Sequence, residues 1–214
     1  MTRRALRLVA PGLVLIPALT ALAGGWAVIT VEDLPDYVVA GRPVTLTFTV
    51  RQHGVRPLGG LSPSVEARAG NLSARAAATP GTETGRYAAT LALPRAGEWT
   101  ITIQSGFRDS KTTLMPLQVV VPGSQSSIAL TEAERGRRLF VAKGCVTCHV
   151  QIAVGPDLTG KRYDAAYLKQ FLADPSRVAS ARRGTFPMPN LGLKQPEITA
   201  LVAFINTERQ VGSR

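Results

Sequence analysis

The sequence predicts a multidomain chain, an all-β sandwich followed by an all-α domain. Three observations carry that expectation. From about residue 24 to residue 121, apolar residues recur with a period of two. From residue 131 onward the period becomes helical. Between them runs Pro122-Gly123-Ser124-Gln125-Ser126-Ser127, small and polar, the composition of a flexible connector over residues 122–130.

Ahead of the sandwich, Arg3, Arg4 and Arg7 precede an uncharged stretch from Leu8 to Val31. Its apolar centre ends in Ala21-Leu22-Ala23, an A-x-A cleavage pattern, so residues 1–23 are expected to be a signal peptide. The stretch is also long enough for a membrane anchor, and possible membrane association through this segment stays open. Pro11, Gly12 and Pro17 would interrupt a spanning helix, and Trp26 to Val31 is β-branched like a first strand. Either reading places the folded part in the periplasm or on the extracytoplasmic face of a membrane.

In residues 24–121, Val44, Leu46, Phe48 and Val50 share one face, with Thr45, Thr47, Thr49 and Arg51 on the other. Tyr87, Ala89, Leu91 and Leu93 repeat the pattern, as do Trp99, Ile101 and Ile103. Turn signals at Gly41-Arg42-Pro43, Gly54, Gly59-Gly60, Pro80-Gly81 and Pro94 to Gly97 separate about seven strands, the spacing of an antiparallel sandwich. His53 is the one residue here able to ligate a metal. Copper handling would need further His, Met or Cys partners, and Met115 is the only candidate. The bland reading, a histidine in a turn, is favoured.

In residues 131–214, Thr131 followed by Glu134 forms a capping box, so a helix starts there and ends at Gly144. Gly136, Leu139 and Phe140 fall on one face of it. A second helix runs from the N-cap Asp164 to about Ala173, with Leu168, Phe171 and Leu172 as its apolar stripe and Pro175 as its stop. A third begins near Pro196, carrying Ile198, Leu201, Val202 and Ile205 at i, i+3, i+4, i+7. About 80 residues make a small independent core.

The chemistry sits just after the first of these helices. Cys145-Val146-Thr147-Cys148-His149 reads C-x-x-C-H, the attachment signal for one covalent haem c. Two thiols at this spacing can each bond one vinyl group of a porphyrin, and the adjacent histidine is then held beneath the iron. A thioredoxin-like redox pair would want a βαβ setting, and a structural zinc site would want two more ligands. The chain has only these two cysteines and one other histidine. Met188 stands between Pro187 and Pro189, in a stiff loop about forty residues after the haem motif, and is the only methionine after residue 115. It is the candidate distal ligand, weighed against core filler.

Two resemblances follow. Residues 131–209 resemble a single-haem class I cytochrome c domain, through Gly136-Arg137-Arg138-Leu139-Phe140, the C-x-x-C-H motif, Gly155-Pro156-Asp157-Leu158 and Phe186-Pro187-Met188-Pro189-Asn190. The resemblance implies that Gly136 lets the last helix cross closely at Leu201 and Phe204. It implies that the Pro156 carbonyl orients His149, and that Met188 is the distal ligand, so that the metal set is His149 and Met188. Residues 24 to about 121 resemble the YtkA-like family, related to the FixH group, through Pro43 to Val50, Gly85-Arg86-Tyr87 and Gly97 to Ile101. That implies an immunoglobulin-like sandwich and little chemistry.

The net charge is +11, with +6 of it after residue 121. Nucleic acid is disfavoured, because no basic run is interleaved with aromatics. Lys143, Lys161, Arg162, Arg182 and Arg183 flank the haem segments and are expected to form a basic ring for acidic redox partners. No catalytic residue is expected. The leading function is single-electron transfer. The alternatives are a haem subunit of a larger respiratory oxidoreductase, with the sandwich as docking module, and a sensor or peroxidase with an open iron.

Overall fold

A computed structural model describes residues 25–124, 129–158, 161–178 and 187–207. The expected signal peptide, part of the connector, and Phe186, Arg182 and Arg183 lie outside the described residues. Among the described residues, eleven strands precede three helices, the expected order.

One sheet runs β1 (Ala27–Val31), β3 (Pro43–Gln52), β8 (Arg86–Ala92), β7 (Thr79–Pro80), with β4 (Arg56–Pro57) on β3. The other runs β2 (Tyr37–Val39), β11 (Leu117–Val120), β9 (Gly97–Gln104), β5 (Ser64–Ala69), β6 (Leu72–Ala77), with β10 (Lys111–Thr113) on β9. All pairs are antiparallel except β2 with β11. The alternation read from the sequence sorts inward from outward residues as expected. Leu46, Phe48, Val50, Tyr87, Trp99, Ile101 and Ile103 are buried in one core shared by the two sheets. Two large polar aromatics satisfy their tips inside it. Tyr87 Oη donates to Leu58 O at 2.8 Å, and Trp99 Nε1 donates to Arg95 O at 2.9 Å.

β1 departs from half-burial: all five of its residues are buried. The outer face of the strand is covered by the helical part. Gly144 lies against Val28 and the Ile29 carbonyl, and Ala142 joins the sandwich core.

The helices are α1 (Glu132–Ala142), α2 (Ala165–Ala173) and α3 (Gln195–Thr207). Both arms of the Thr131–Glu134 capping box form, and Asp164 Oδ1 accepts from Tyr167 N at 2.8 Å. After the Lys143 cap the chain turns at Gly144, whose φ is 77°, the left-handed conformation that suits glycine. α1 and α3 cross at Gly136. A Cβ there would overlap the Ala200 carbonyl and stand 2.7 Å from Phe204 Cβ. Leu139, Leu168, Leu172, Ile198, Leu201 and Phe204 form the second core.

A short polar connector suggests a loose tether, yet the two parts are bolted together by three cations of α1 and its cap. Arg135 Nη2 is 2.9 Å from Asp36 Oδ2. Arg138 donates to the carbonyls of Pro35 and Asp36, each at 2.9 Å. Lys143 Nζ donates to Glu32 O at 2.6 Å and pairs with Glu197 of α3 at 2.7 Å. Lys143 is therefore not part of a solvent-exposed basic ring. Its side chain is 5 % exposed, because the 32–36 loop and α3 converge on its ammonium from both sides.

Candidate functional site

The site is built where α1 ends. Gly144 turns the chain, and a π-helical turn at Thr147–Gln151 carries Cys148 and His149. Cys145 is buried and Cys148 half-buried, both as free thiols. Burial, with a smaller contribution from Cys148 nearby, pushes the Cys145 thiol up to about 12. Burial also raises Cys148. That is the reverse of what a redox dithiol needs, since the thiolate is the reactive form.

His149 Nδ1 lies 2.8 Å from the Pro156 carbonyl. A carbonyl only accepts, so Nδ1 carries the proton and donates, which leaves the Nε2 lone pair free. Gly155 makes this possible. A Cβ on it would stand 2.8 Å from His149 Nδ1 and 2.9 Å from Cε1. Gly155 N–H also donates to Cys148 O at 2.9 Å, closing the loop back onto the haem motif. Phe140 of α1 stands beside the imidazole, ring centroids 6.4 Å apart, and leans on Phe204 at 5.5 Å.

These residues line a cavity of about 250 Å³. Cys145, Cys148, His149, Pro156 and Met188 all face it, with Met188 flanked there by Pro187 and Pro189. The remaining wall is mostly apolar, from Phe140, Leu168, Phe171, Leu172, Leu201 and Ile205. Asn206 of α3 pins the far side, its Oδ1 accepting from Tyr163 N at 3.0 Å and its Nδ2 donating to Tyr163 O at 3.1 Å. Two thiols, an imidazole with a free Nε2 and a thioether around an apolar cavity form a donor set that fits a haem.

Two features were not legible in the sequence. The Gly155-Pro156-Asp157-Leu158 motif gives no sign that Gly155 packs against the imidazole of His149. His53, read as a turn histidine of the sandwich, lines this same cavity. Among the described residues no group of three His, Cys, Asp or Glu could hold a metal ion.

Residues 131–205 match the family model described as cytochrome C oxidase, cbb3-type, subunit III. No curated protein matches the chain. Among solved structures, the superoxide reductase (neelaredoxin) from Ignicoccus hospitalis is similar at 16% identity, with a TM-score of 0.29, over 46% of this chain and 82% of that one. The ZirS C-terminal domain is similar at 12% identity, with a TM-score of 0.30, over 56% of this chain and 86% of that one. Superpositions this loose carry no argument about function. Residues 131–205 form a cytochrome c-type domain behind an all-β region, and such a domain implies a haem and haem-based electron transfer.

Proposed function

We propose that this chain is an exported mono-haem cytochrome that carries single electrons between redox proteins. In this reading residues 1–23 are a cleaved signal, 24–121 the YtkA-like sandwich, 122–130 the connector and 131–214 the electron-transfer domain. Cys145 and Cys148 would hold the haem through thioether bonds, and His149 and Met188 would ligate its iron. The bound haem supplies a one-electron couple at its iron.

The observation that carries the reading is the His149–Pro156 hydrogen bond at the wall of a cavity that Met188 also faces. Donation from Nδ1 fixes the imidazole's tautomer and orientation and strengthens Nε2 as a ligand. The wall from α2 and α3 is mostly apolar, and a His/Met ligand pair would give a bound haem a raised potential. Ligation by both His149 and Met188 would leave a bound haem no vacant position for substrate. That argues for electron transfer over a sensor or peroxidase role.

With Lys143 buried, any basic docking surface falls to Lys161 and Arg162, both described, and to Arg182 and Arg183. No described helix is long and apolar enough to cross a membrane.

A second reading is favoured by the family match. The subunit III description of the matching family model supports a chain that is the haem c subunit of a larger respiratory complex, with the sandwich as its docking module. Intact mass of the exported protein tests the attachment. The reading expects one added haem that survives denaturation and is lost in the double variant Cys145→Ser, Cys148→Ser. A mass without haem in the unaltered protein would overturn it. Co-purification with a catalytic subunit would select the second reading.

A further inference from the structure

The turn between β3 and β4 belongs to the sandwich, yet it reaches the cavity of the other domain. His53 and Gly54 both take positive φ, 51° and 76°, and Val55 N–H closes the turn on Gln52 O at 3.0 Å. Histidine, like asparagine, is among the few non-glycine residues enriched in this conformation. His53 is fixed on its own side as well. Its N–H donates to Trp26 O at 3.0 Å, and its ring lies 5.3 Å from the Trp26 ring.

One side of this hairpin tip is covered. Gly54 is buried, and a Cβ on it would lie 3.5 Å from Val28 and 3.6 Å from Pro189 Cγ. Pro189 follows Met188 directly, and His53 lines the cavity with both. The Arg135, Arg138 and Lys143 contacts lock the sandwich to α1, so the turn is held in register with the cavity.

We propose that the His53-Gly54 turn is a positioning element for the methionine segment. The imidazole ring walls the cavity at Pro187–Pro189, and Gly54 seats Pro189, so that Met188 is kept facing inward and outside ligands are kept from its place. The sandwich is thereby part of the haem site, which gives a reason for its fusion to a cytochrome. The proposal rests on the reading of Met188 as distal ligand. His53 acts through Met188 and is not itself a ligand.

The test uses the purified full-length ferric protein and imidazole as the probe. His53→Asn keeps a residue that tolerates the left-handed turn but removes the ring. His53→Phe restores a ring. Val55→Ala alters the same turn at a side of it that is 55% exposed. Imidazole can enter only when the methionine segment opens, so its association rate reads the local opening. His53→Asn is expected to bind imidazole at least about tenfold faster, with a weakened long-wavelength methionine–iron band. His53→Phe is expected to return most of the way, and Val55→Ala to match the unaltered protein. An unchanged imidazole rate and band in His53→Asn would overturn the proposal, even if the variant melts earlier. Absence of the methionine–iron band from the unaltered protein would instead overturn the Met188 reading on which it rests.

Discussion

His149 and Pro156 are joined by a 2.8 Å hydrogen bond from the imidazole Nδ1–H to the carbonyl. The bond is local in sequence but needs a glycine before the proline. With any side chain at 155, the imidazole and the new Cβ would compete for one place. Gly155→Ala is expected to cost about 1–3 kcal/mol of stability, the usual penalty of overpacking a filled site. Equilibrium denaturation of the full chain measures it. The same variant should raise the reduction potential, because an imidazole without its carbonyl acceptor is a weaker donor to the oxidised iron. A potentiometric titration checks that sign.

The α1–α3 crossing depends on Gly136 in the same way, but against backbone. An added Cβ would overlap the Ala200 carbonyl, and a helix backbone cannot swing aside as a flexible side chain can. Gly136→Ala is expected to destabilise by about 3 kcal/mol or more, at or above the upper end for overpacking. Gly59→Ala is the control. Its Cβ would meet only Thr84 Cγ2 at 3.4 Å, so a change within about 0.5 kcal/mol is expected. Equal melting of the two variants would contradict the crossing argument.

Lys143 and Glu197 form a pair whose side chains are 5% and 13% exposed. Lys143→Met would leave the Glu197 carboxylate buried without its cation, at an expected cost of about 3–5 kcal/mol. The double variant Lys143→Met, Glu197→Met should recover most of that loss, since a buried pair replaced by apolar groups is often neutral. A double-mutant cycle by urea denaturation measures the coupling. No recovery in the double variant would show that Lys143 acts through the Glu32 carbonyl instead.

Asp33 and Lys194 join the sandwich to the segment leading into α3. The hydrogen bond from Lys194 holds the Asp33 carboxyl below its usual 3.8, and Asp33 raises Lys194 above 10.5. A depressed carboxyl stabilises the fold above its unfolded value and loses that contribution as pH falls through the folded value. The raised ammonium contributes below 10.5 and loses it as pH climbs past its folded value. Asp33→Asn should therefore flatten the stability profile below about pH 4 and above about pH 10.5, and leave its shape between them unchanged. Both side chains are well exposed, so the effect should be small and should fade in high salt. Thermal melts across pH at two ionic strengths test this.

Much of the fold was legible because its signals are local. The Thr131–Glu134 box, the Asp164 cap and the period-two runs around Phe48 and Ile101 each involve neighbours in sequence. Strands β4 and β7 are two residues long and show no alternation, so they were invisible beforehand. The burial of both faces of β1 has no local signal, because Gly144, which covers one of them, lies over a hundred residues away. Lys143 failed for the same reason. A lysine beside a haem motif reads as surface charge until Glu32 and Glu197 are seen to converge on it. Within the site, the haem motif announces itself by spacing, and Met188 by its two prolines. His53 carries no comparable signal, since its place at the cavity comes from how two separately patterned domains pack.

The most direct test of the account is the visible spectrum of the purified full-length protein beside His149→Ala and Met188→Ala. A c-type haem spectrum with a long-wavelength methionine–iron band is expected in the unaltered ferric protein. That band should vanish in Met188→Ala, with the covalent haem retained, and His149→Ala should lose low-spin character or fail to hold haem. Spectra unchanged by both substitutions would contradict the assignment of His149 and Met188 as the ligands of an electron-transfer haem.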